Sequence, residues 1–369
     1  MSGIPAQSPG PKPLHVLQLL GSGGAGTGDH VRSLTSGLVA LGVKVTVCAP
    51  AAAERHYRFA DAGARFATLP DGSRARAAWR AHSLASRADL VHAHGMRAGA
   101  VAALATRART VPFVLTWHVR RDAHGPTAPL RDTTERLVAR ASSVVLGATT
   151  DLVDRARRRG ARDARLAPVG LAAASPTGDG DAAATRAARS ELGADGRPLL
   201  VAAAALEPGQ GHETLLTAAS RWREWEVPPL VAVVGEGPLR PELERRVERE
   251  RLPVRLLGDR RDARRLLAAA DVALSPGAWD GRGLTAQEAL RVGVPLVAAE
   301  VGGLPGLVGD AAVLVPAAAP DALADAVTAL LADPGRCAAL AAAGRGLAGT
   351  WPTEDHTVAH VLSVYDEFA

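Results

Sequence analysis

Cysteines, aromatic residues and long apolar runs are all scarce in this chain of 369 residues. The two cysteines, Cys48 and Cys337, lie in different halves, so neither a disulfide framework nor a CxxC metal site can form within one domain. No stretch of 18 apolar residues is present, which argues against a membrane-spanning helix. Residues 1–13 contain Gly, Pro and Ser without an apolar segment, so we expect a flexible tail rather than a signal peptide. These absences favour a cytoplasmic protein.

Aromatic residues make up only 3% of the chain, which leaves little material for a surface that stacks nucleobases. The isoelectric point near 9.9 could suggest nucleic acid, but lysine is nearly absent, and the abundance of arginine, alanine and glycine is typical of GC-rich codon usage. No nucleic-acid-binding module is recognisable. We therefore expect no nucleic-acid partner.

Positive and negative charges are unevenly divided along the chain. Residues 1–170 hold 24 Lys and Arg against 11 Asp and Glu, a net charge of +13, and the remaining residues carry −8. This asymmetry predicts that the front half meets an anionic surface, either lipid headgroups or a phosphate-bearing acceptor. Codon bias and solvated helix faces are the alternative explanation.

Short apolar runs alternate with longer helical patterns, which is typical of parallel βαβ units, and the length favours two domains. The strands predicted in the front half are 14–20, 44–49, 90–93, 113–116, 143–146 and 165–167. Those predicted in the back half are 199–204, 230–234, 255–257, 272–274, 296–298 and 313–315. Continuous apolar runs, rather than alternating ones, indicate strands that are buried on both faces.

The predicted domain boundaries follow from breaks in this pattern. A first domain spans 14–171, a linker rich in Ala, Gly and Asp spans 172–184, and a second domain spans 185–350. Residues 351–369 are predicted to form a C-terminal helix that crosses back to the first domain, with Thr353 as its N-cap.

The first predicted strand runs into a glycine-rich turn, Gly21–Gly28, directly before a helical pattern. Glycine lets backbone N–H groups approach a ligand closely, and a helix N-terminus attracts anions. A dinucleotide site would also need an acid at the end of the second strand, and Cys48-Ala49-Pro50 offers none, so NAD is disfavoured.

Three histidines follow neighbouring strands, at the sheet edge where open α/β sheets bind ligands: His92, His94 and His118. A structural role is the more common one for His92, whereas His118 ends a buried strand and is the stronger functional candidate. The spacing of His92 and His94 allows metal binding, but no nearby carboxylate or cysteine completes a tetrahedral set, so we expect no metal.

In the back half, residues 275–309 carry the densest set of candidate ligands. Asp280 lies in a glycine-rich loop, and Glu288 lies one turn into a helix that begins near Gly283 or Thr285. Carboxylates accept hydrogen bonds from sugar hydroxyls, and the N–H groups of the first helical turn suit a diphosphate.

Asp280 and Glu288, eight residues apart, resemble the E-x7-E motif of family 4 retaining glycosyltransferases. Other segments, in the right order, are similar to the same family: Gly23-Gly24 before His30-Val31, Asp89-Leu-Val-His-Ala-His, Val233-Val-Gly-Glu-Gly-Pro-Leu, Glu288-Ala-Leu-Arg-Val-Gly-Val-Pro-Leu-Val and Gly302-Gly303-Leu-Pro. The resemblance covers almost the whole chain after residue 13.

The resemblance implies an α/β protein of the GT-B class, with two Rossmann-like domains whose parallel sheets face an interdomain cleft. It further implies transfer of a sugar from a UDP- or GDP-sugar to a small-molecule, lipid-linked or cell-envelope acceptor, with retained configuration and without a metal or other cofactor. The implied catalytic residues are His118 and Asp280. The implied donor-binding residues are Gly23, Gly24, Gly258, Gly281, Arg282, Gly283, Leu284, Thr285 and Glu288.

One departure from the family pattern concerns the diphosphate. The family places an Arg and a Lys in the first loop of the donor domain, where this chain has Ala205 and Gln210. Each lost charge-assisted contact costs on the order of 1.5 to 3 kcal/mol. Arg282 is a candidate substitute, and a catalytically weakened protein with a binding or regulatory role is the alternative.

Residues 73–88 form a basic helical pattern that carries Trp79. Basic residues beside an aromatic residue suit a headgroup surface, which predicts peripheral contact with an anionic membrane on its cytoplasmic face. Ordinary packing of this helix on the sheet is the alternative.

Overall fold

The computed structural model describes residues 12–21, 25–107, 110–119, 128–170, 182–260, 262–278 and 283–368. The chain divides into two compact units. The first comprises Met1–Ala173 together with Pro352–Ala369, and the second comprises Ala174–Trp351.

The first unit contains a seven-stranded parallel sheet in the order β3-β2-β1-β4-β5-β6-β7. Its strands are β1 (His15–Leu20), β2 (Lys44–Ala49), β3 (Arg65–Thr68), β4 (Leu90–His94), β5 (Phe113–Trp117), β6 (Val144–Gly147) and β7 (Ala164–Leu166). Its helices are α1 (Ala25–Ala40), α2 (Ala51–Tyr57), α3 (Arg74–Ala85), α4 (Gly95–Thr106), α5 (Ala128–Ala141), α6 (Thr150–Arg158) and, at the end of the chain, α15 (Glu354–Asp366).

The second unit contains a six-stranded parallel sheet in the order β10-β9-β8-β11-β12-β13. Its strands are β8 (Leu199–Ala203), β9 (Leu230–Val234), β10 (Val254–Gly258), β11 (Val272–Ser275), β12 (Leu296–Ala299) and β13 (Val313–Val315). Its helices are α7 (Ala182–Leu192), α8 (His212–Trp222), α9 (Arg240–Glu250), α10 (Ala263–Ala268), α11 (Leu284–Val292), α12 (Leu304–Val308), α13 (Pro320–Leu331) and α14 (Pro334–Ala348).

Each sheet is buried on both faces, as its continuous apolar strands predict. In β8, Leu199 and Val201 pack into one core cluster and Leu200 and Ala202 into another, on the opposite side. In both sheets the strand order reverses beside the first strand of the unit, which is the doubly wound arrangement of Rossmann-like folds. The predicted fold class, two Rossmann-like domains with parallel sheets, is confirmed.

One strand, β3, was not predicted from the sequence. This edge strand, Arg65–Thr68, pairs only with β2, and of its four residues only Ala67 is buried. It therefore lacks the apolar run by which the other strands were recognised. At the predicted linker, Ala182–Ala184 form the first turn of α7, and residues 171–181 lie outside the described part of the chain.

The C-terminal helix α15 packs in the core of the first unit. Val358, Val361, Val364 and Tyr365 are buried together with residues of α1 and β1. The predicted N-cap is confirmed, since the Thr353 hydroxyl accepts a hydrogen bond from the backbone N–H of His356. This helix therefore brings residues from the end of the chain into contact with the first sheet.

No single helix in the described ranges is long and apolar enough to cross a membrane. The consecutive helices α13 and α14 meet that criterion only as a pair, and they are bent by 101° at their junction.

Candidate functional site

Two histidines lie together at the carboxyl ends of β4 and β5. These strands pair in parallel with His94 opposite Thr116, so His94 and His118 emerge at the same edge of the sheet. His94 Nδ1 lies 3.3 Å from His118 Nε2. His30, on α1, places its ring centroid 5.6 Å from that of His94 and 5.1 Å from that of His118. All three side chains are buried.

His92 lies in the same strand but makes different contacts. Its Nδ1 is 2.6 Å from the Tyr365 hydroxyl on α15, and its Nε2 is 2.6 Å from the Thr116 hydroxyl. Both ring nitrogens are thus hydrogen-bonded to uncharged groups. This geometry agrees with the structural role that the sequence analysis favoured for His92.

The histidine rings are held in an environment that disfavours charge. Burial lowers the pKa of His94 to about 3. Burial, together with repulsion from His94 and His30, lowers the pKa of His92 well below its ordinary value. Both rings are therefore neutral at physiological pH, and each offers one donor and one acceptor nitrogen.

The metal-ligand spacing considered in the sequence does not match the grouping in the structure. His92 and His94 are not placed to bind one metal ion together, because both ring nitrogens of His92 are hydrogen-bonded to Tyr365 and Thr116. Instead, His30, His94 and His118 each offer a nitrogen that lies within 4.8 Å of the other two. Sequence spacing failed here because His30 comes from a helix, 64 residues before His94 in the chain.

In the second unit, loops at the carboxyl edge of the sheet pack closely against one another. Gly211, before α8, has φ of +78°, and a Cβ at this position would lie 2.0 Å from the Pro276 carbonyl oxygen. The Ala278 N–H donates to the Gly209 carbonyl across the same contact, at 2.8 Å. Only glycine permits both this conformation and this approach. The loop after β8 is thereby fixed against the loop after β11.

The helix α11 begins at this edge with Leu284, and Gly283 is its N-cap residue with φ of +54°. The Thr285 hydroxyl donates to the Ala203 carbonyl of β8, so this predicted donor-binding side chain ties the helix to the sheet. The helix N-terminus brings a partial positive charge to the carboxyl ends of the strands.

Glu288 lies one turn into α11 and is partly exposed. Its Oε2 is 3.5 Å from Nε of Arg264, on the adjacent helix α10, and about a quarter of each side chain is accessible. The arginine restrains a carboxylate that still reaches solvent. Arg264 was not singled out in the sequence, because its position gives no sign of which helix it faces.

Gly258 ends β10 beside a second ion pair. A Cβ at Gly258 would lie 3.0 Å from Oε1 of Glu236 and 3.3 Å from Nη2 of Arg240. Arg240 lowers the pKa of Glu236 through a direct hydrogen bond. The space next to Gly258 is therefore bordered by a charged pair on the loop and helix that follow β9.

The loop after β8 contains the two positions where the family carries cations. Ala205 is exposed and Gln210 is partly buried. His212, the first residue of α8, donates from Nε2 to the Ala205 carbonyl at 2.8 Å and so fixes the backbone of the loop. Neither position supplies a positive charge.

Five predicted site residues lie outside the described part of the chain: Gly23, Gly24, Asp280, Gly281 and Arg282. The other predicted residues fall at the carboxyl edges of the two sheets, His118 in the first unit and Gly258, Gly283, Leu284, Thr285 and Glu288 in the second. His30, Tyr365 and Arg264 were not predicted as site residues from the sequence. The first of these occurs in one of the family-like motifs, and the other two carry no recognisable signal.

Two family descriptions match the chain, one in each unit. Residues 25–172 match the glycosyl transferase 4-like domain, and residues 197–333 match the glycosyl transferases group 1 domain. A D-inositol 3-phosphate glycosyltransferase from Xylanimonas cellulosilytica is 33% identical over 301 residues, which cover 75% of this chain and 71% of that protein. The chain belongs to glycosyltransferase family 4.

Two further comparisons place this glycosyltransferase among its relatives. A GDP-mannose-dependent alpha-(1-6)-phosphatidylinositol monomannoside mannosyltransferase from Mycolicibacterium smegmatis is 32% identical over 191 residues, or 47% of this chain and 50% of that protein. The crystal structure of Anabaena HepE in complex with UDP-glucose superposes with a TM-score of 0.81 at 20% identity, over 95% of this chain and all of that one. The structural likeness establishes the GT-B fold class.

The burial of His212 beside the loop after β8 predicts a pH-dependent stability. Burial lowers the pKa of His212, so its contribution to stability is present above about pH 6.5 and is lost as the pH falls below that value, by up to about 1.4 kcal/mol per pH unit. In His212→Gln, an amide retains a donor to Ala205 but does not titrate. On acidification, the thermal unfolding temperature of the full chain should therefore fall less in this variant than in the wild type.

The control for this experiment is His56→Gln, which changes an exposed histidine. It should retain the pH dependence of the wild type. If acidification lowered the stability of the wild type and of His212→Gln equally, the His212 ring would not be held neutral by burial.

Proposed function

We propose that this glycosyltransferase transfers a hexosyl group from a UDP- or GDP-sugar to an acceptor that carries an inositol phosphate, either free or in a lipid. The observation that carries the proposal is the N-terminus of α11 at the sheet edge with Glu288 one turn behind it, partly exposed and restrained by Arg264. A helix N-terminus suits the diphosphate of a donor, and a carboxylate suits ribose or sugar hydroxyls.

The proposed roles of the site residues follow from the family resemblance and their positions. Glu288 holds the donor ribose, Gly258 borders the base, and the backbone from Gly283 to Thr285 faces the diphosphate. Asp280 and the amides of Gly281 to Leu284 hold the sugar. Departure of the nucleotide develops negative charge, so fixed dipoles and cations aimed at the diphosphate lower the barrier.

In the first unit, His118 is the group proposed to lie beside the reacting centre. Its ring is positioned by His94, which contacts it at 3.3 Å. A buried imidazole with a fixed partner keeps one orientation, which favours precise placement of a hydrogen bond on the substrate. Gly23 and Gly24 are proposed to contact phosphate through their backbone.

The acceptor class is supported by the relatives, one of which acts on D-inositol 3-phosphate and another on a phosphatidylinositol mannoside. The net charge of +13 in residues 1–170 is consistent with an acceptor that carries phosphate. Retention of configuration and independence of metals are parts of the proposal that rest on the family resemblance. The proposed cytoplasmic location rests on the placement of the two cysteines.

Incubation of the purified chain with UDP- and GDP-hexoses and an inositol phosphate tests the proposal. We expect acceptor-dependent release of nucleotide that persists in EDTA, and a product whose anomeric configuration, measured by NMR, matches the donor. Glu288→Gln should lower nucleotide-sugar affinity by about 10- to 100-fold, because a hydrogen bond to a charged group contributes about 1.5–3 kcal/mol.

The matched control is Glu242→Gln, which changes an exposed carboxylate on α9 and should leave donor affinity unchanged. Absence of nucleotide release with every donor and acceptor would contradict the transferase proposal. Equal donor affinity in Glu288→Gln and the wild type would contradict the role given to Glu288.

A weakened, binding or regulatory protein is the second candidate function, and the cation-free loop after β8 favours it. Ala205→Arg combined with Gln210→Lys should raise UDP or GDP affinity at least tenfold, measured by calorimetry, because each cation adds a charge-assisted contact to phosphate. The control carries Arg and Lys at the exposed positions Ala342 and Ala343 of α14.

The outcome separates the two candidates. Transfer by the wild type supports the enzyme, whereas nucleotide release only after both cations are restored supports the weakened protein. Unchanged nucleotide affinity in the double variant would mean that this loop does not face the diphosphate.

The basic helix α3 supports peripheral contact of the first unit with an anionic membrane. Its packed face consists of small residues, Ala77, Ala81 and Ala85. On the remaining surface Trp79 is 72% exposed, and Arg74 and Arg76 are exposed as well. An exposed tryptophan beside arginines suits the headgroup region of a bilayer, where a lipid-linked acceptor would be found.

Replacement of the exposed residues, as Arg74→Glu, Arg76→Glu and Trp79→Ala together, should reduce binding to vesicles that contain phosphatidylserine by at least about tenfold. Binding of the wild type should also weaken as salt is raised. Arg245→Glu with Arg249→Glu, on α9, is the control for charge reversal. Equal sedimentation of the α3 variant and the wild type with anionic vesicles would refute this surface.

A further inference from the structure

Three buried imidazole rings from three separate elements surround one point in the first unit. His30 comes from α1, His94 from the end of β4, and His118 from the residue after β5. Their ring centroids form a nearly equilateral triangle with sides of 5.6, 5.1 and 5.6 Å. One nitrogen of each ring lies within 4.8 Å of those of the other two.

This triangle has the dimensions of three imidazoles around a tetrahedral zinc ion. Zinc binds imidazole nitrogens at about 2.0–2.1 Å, which separates neighbouring nitrogens by about 3.4 Å and their ring centroids by about 5 Å. The Nδ1 of His94 and the Nε2 of His118 are already 3.3 Å apart. The nitrogen of His30 lies within 4.8 Å of the other two, so it would have to approach each of them by at most about 1.4 Å.

The chemistry of the rings also suits a metal. Neutral imidazole is a preferred ligand of Zn²⁺ and of similar divalent ions such as Co²⁺. Coordination through Nδ1 of His94 would leave the proton on Nε2, which is buried without a hydrogen-bond partner among the described residues. Three protein ligands leave the fourth tetrahedral position open to water or to a ligand oxygen.

We propose that His30, His94 and His118 form a binding site for Zn²⁺. His92 is not part of this site. Its ring is held in place by the contact with the Tyr365 hydroxyl. A bound ion would be coordinated by the nitrogen lone pair of His118. If His118 acts in transfer as proposed above, Zn²⁺ therefore competes with the reaction, and this consequence alone rests on the proposed function.

Metal binding by the full-length chain tests the site without any nucleotide sugar. After treatment with a chelator, the chain should bind one equivalent of Zn²⁺ in equilibrium dialysis, and one equivalent of Co²⁺ should give the visible absorption of a tetrahedral site. His94→Ala and His30→Ala should each weaken Zn²⁺ binding by at least about 100-fold, because loss of a partner outside the coordination sphere alone costs 10- to 100-fold.

Two histidine variants serve as controls. His92→Gln changes a buried ring next to the triad, and His56→Gln changes an exposed one, and both should bind Zn²⁺ within a few-fold of the wild type. If His94→Ala does not fold by circular dichroism, His30→Gln provides the comparison. Absence of stoichiometric binding, or equal binding by the wild type and both triad variants, would show that the rings form only a hydrogen-bonded cluster.

A separate measurement addresses the competition with transfer. Micromolar Zn²⁺ should slow nucleotide release by the wild type, and EDTA should restore it. A rate that is unchanged when the site is saturated with Zn²⁺ would overturn the competing role of the ion. Because binding is measured without a donor, failure of the transferase proposal would leave the dialysis and absorption results to decide the site by themselves.

Discussion

The exclusion of charge from the edge of the first sheet is the constraint on which this site depends. An ionised group buried without a partner is too costly to persist, so the two histidines of β4, His92 and His94, are neutral. A neutral ring offers one donor and one acceptor. His92 pairs both of its nitrogens with the hydroxyl groups of Tyr365 and Thr116, and His94 pairs its Nδ1 with His118. The last helix of the chain is thus part of the arrangement at the site, through one hydroxyl group.

Much of the fold was predictable because both sheets are built from continuous apolar strands. Buried strands that alternate with helical segments are readily recognised in a single sequence. Because parallel crossovers are right-handed, helices can cover both faces of the sheet only if the strand order reverses. The strand Arg65–Thr68 gave no such signal, because it lies at the edge of the sheet and only one of its four residues is buried. Slight burial, and not complex topology, is what hid this strand from prediction.

The site was predictable only to the extent that strand ends determine it. His94 and His118 end adjacent strands, so their proximity follows from the topology. The positions of His30 and Arg264 depend on which face of a helix meets its neighbour, and the contact of Tyr365 with His92 spans 273 residues of sequence. Such contacts are set by tertiary packing, which the local pattern of one sequence does not encode. For that reason the histidine triad could not be recognised before the fold was known.

The absence of cations at Ala205 and Gln210 changes how the second unit can stabilise a leaving diphosphate. A helix N-terminus contributes about 0.3–1 kcal/mol to an exposed anion and up to about 2 kcal/mol in partly buried geometry. Two charge-assisted contacts would contribute about 3–6 kcal/mol, so α11 alone does not replace them. Arg240 and Arg264 lie at the same sheet edge, but each is paired with a carboxylate, Glu236 and Glu288 respectively. Either arginine would have to exchange its carboxylate for phosphate. If ribose hydroxyls bind Glu288, as proposed, that exchange becomes less costly for Arg264.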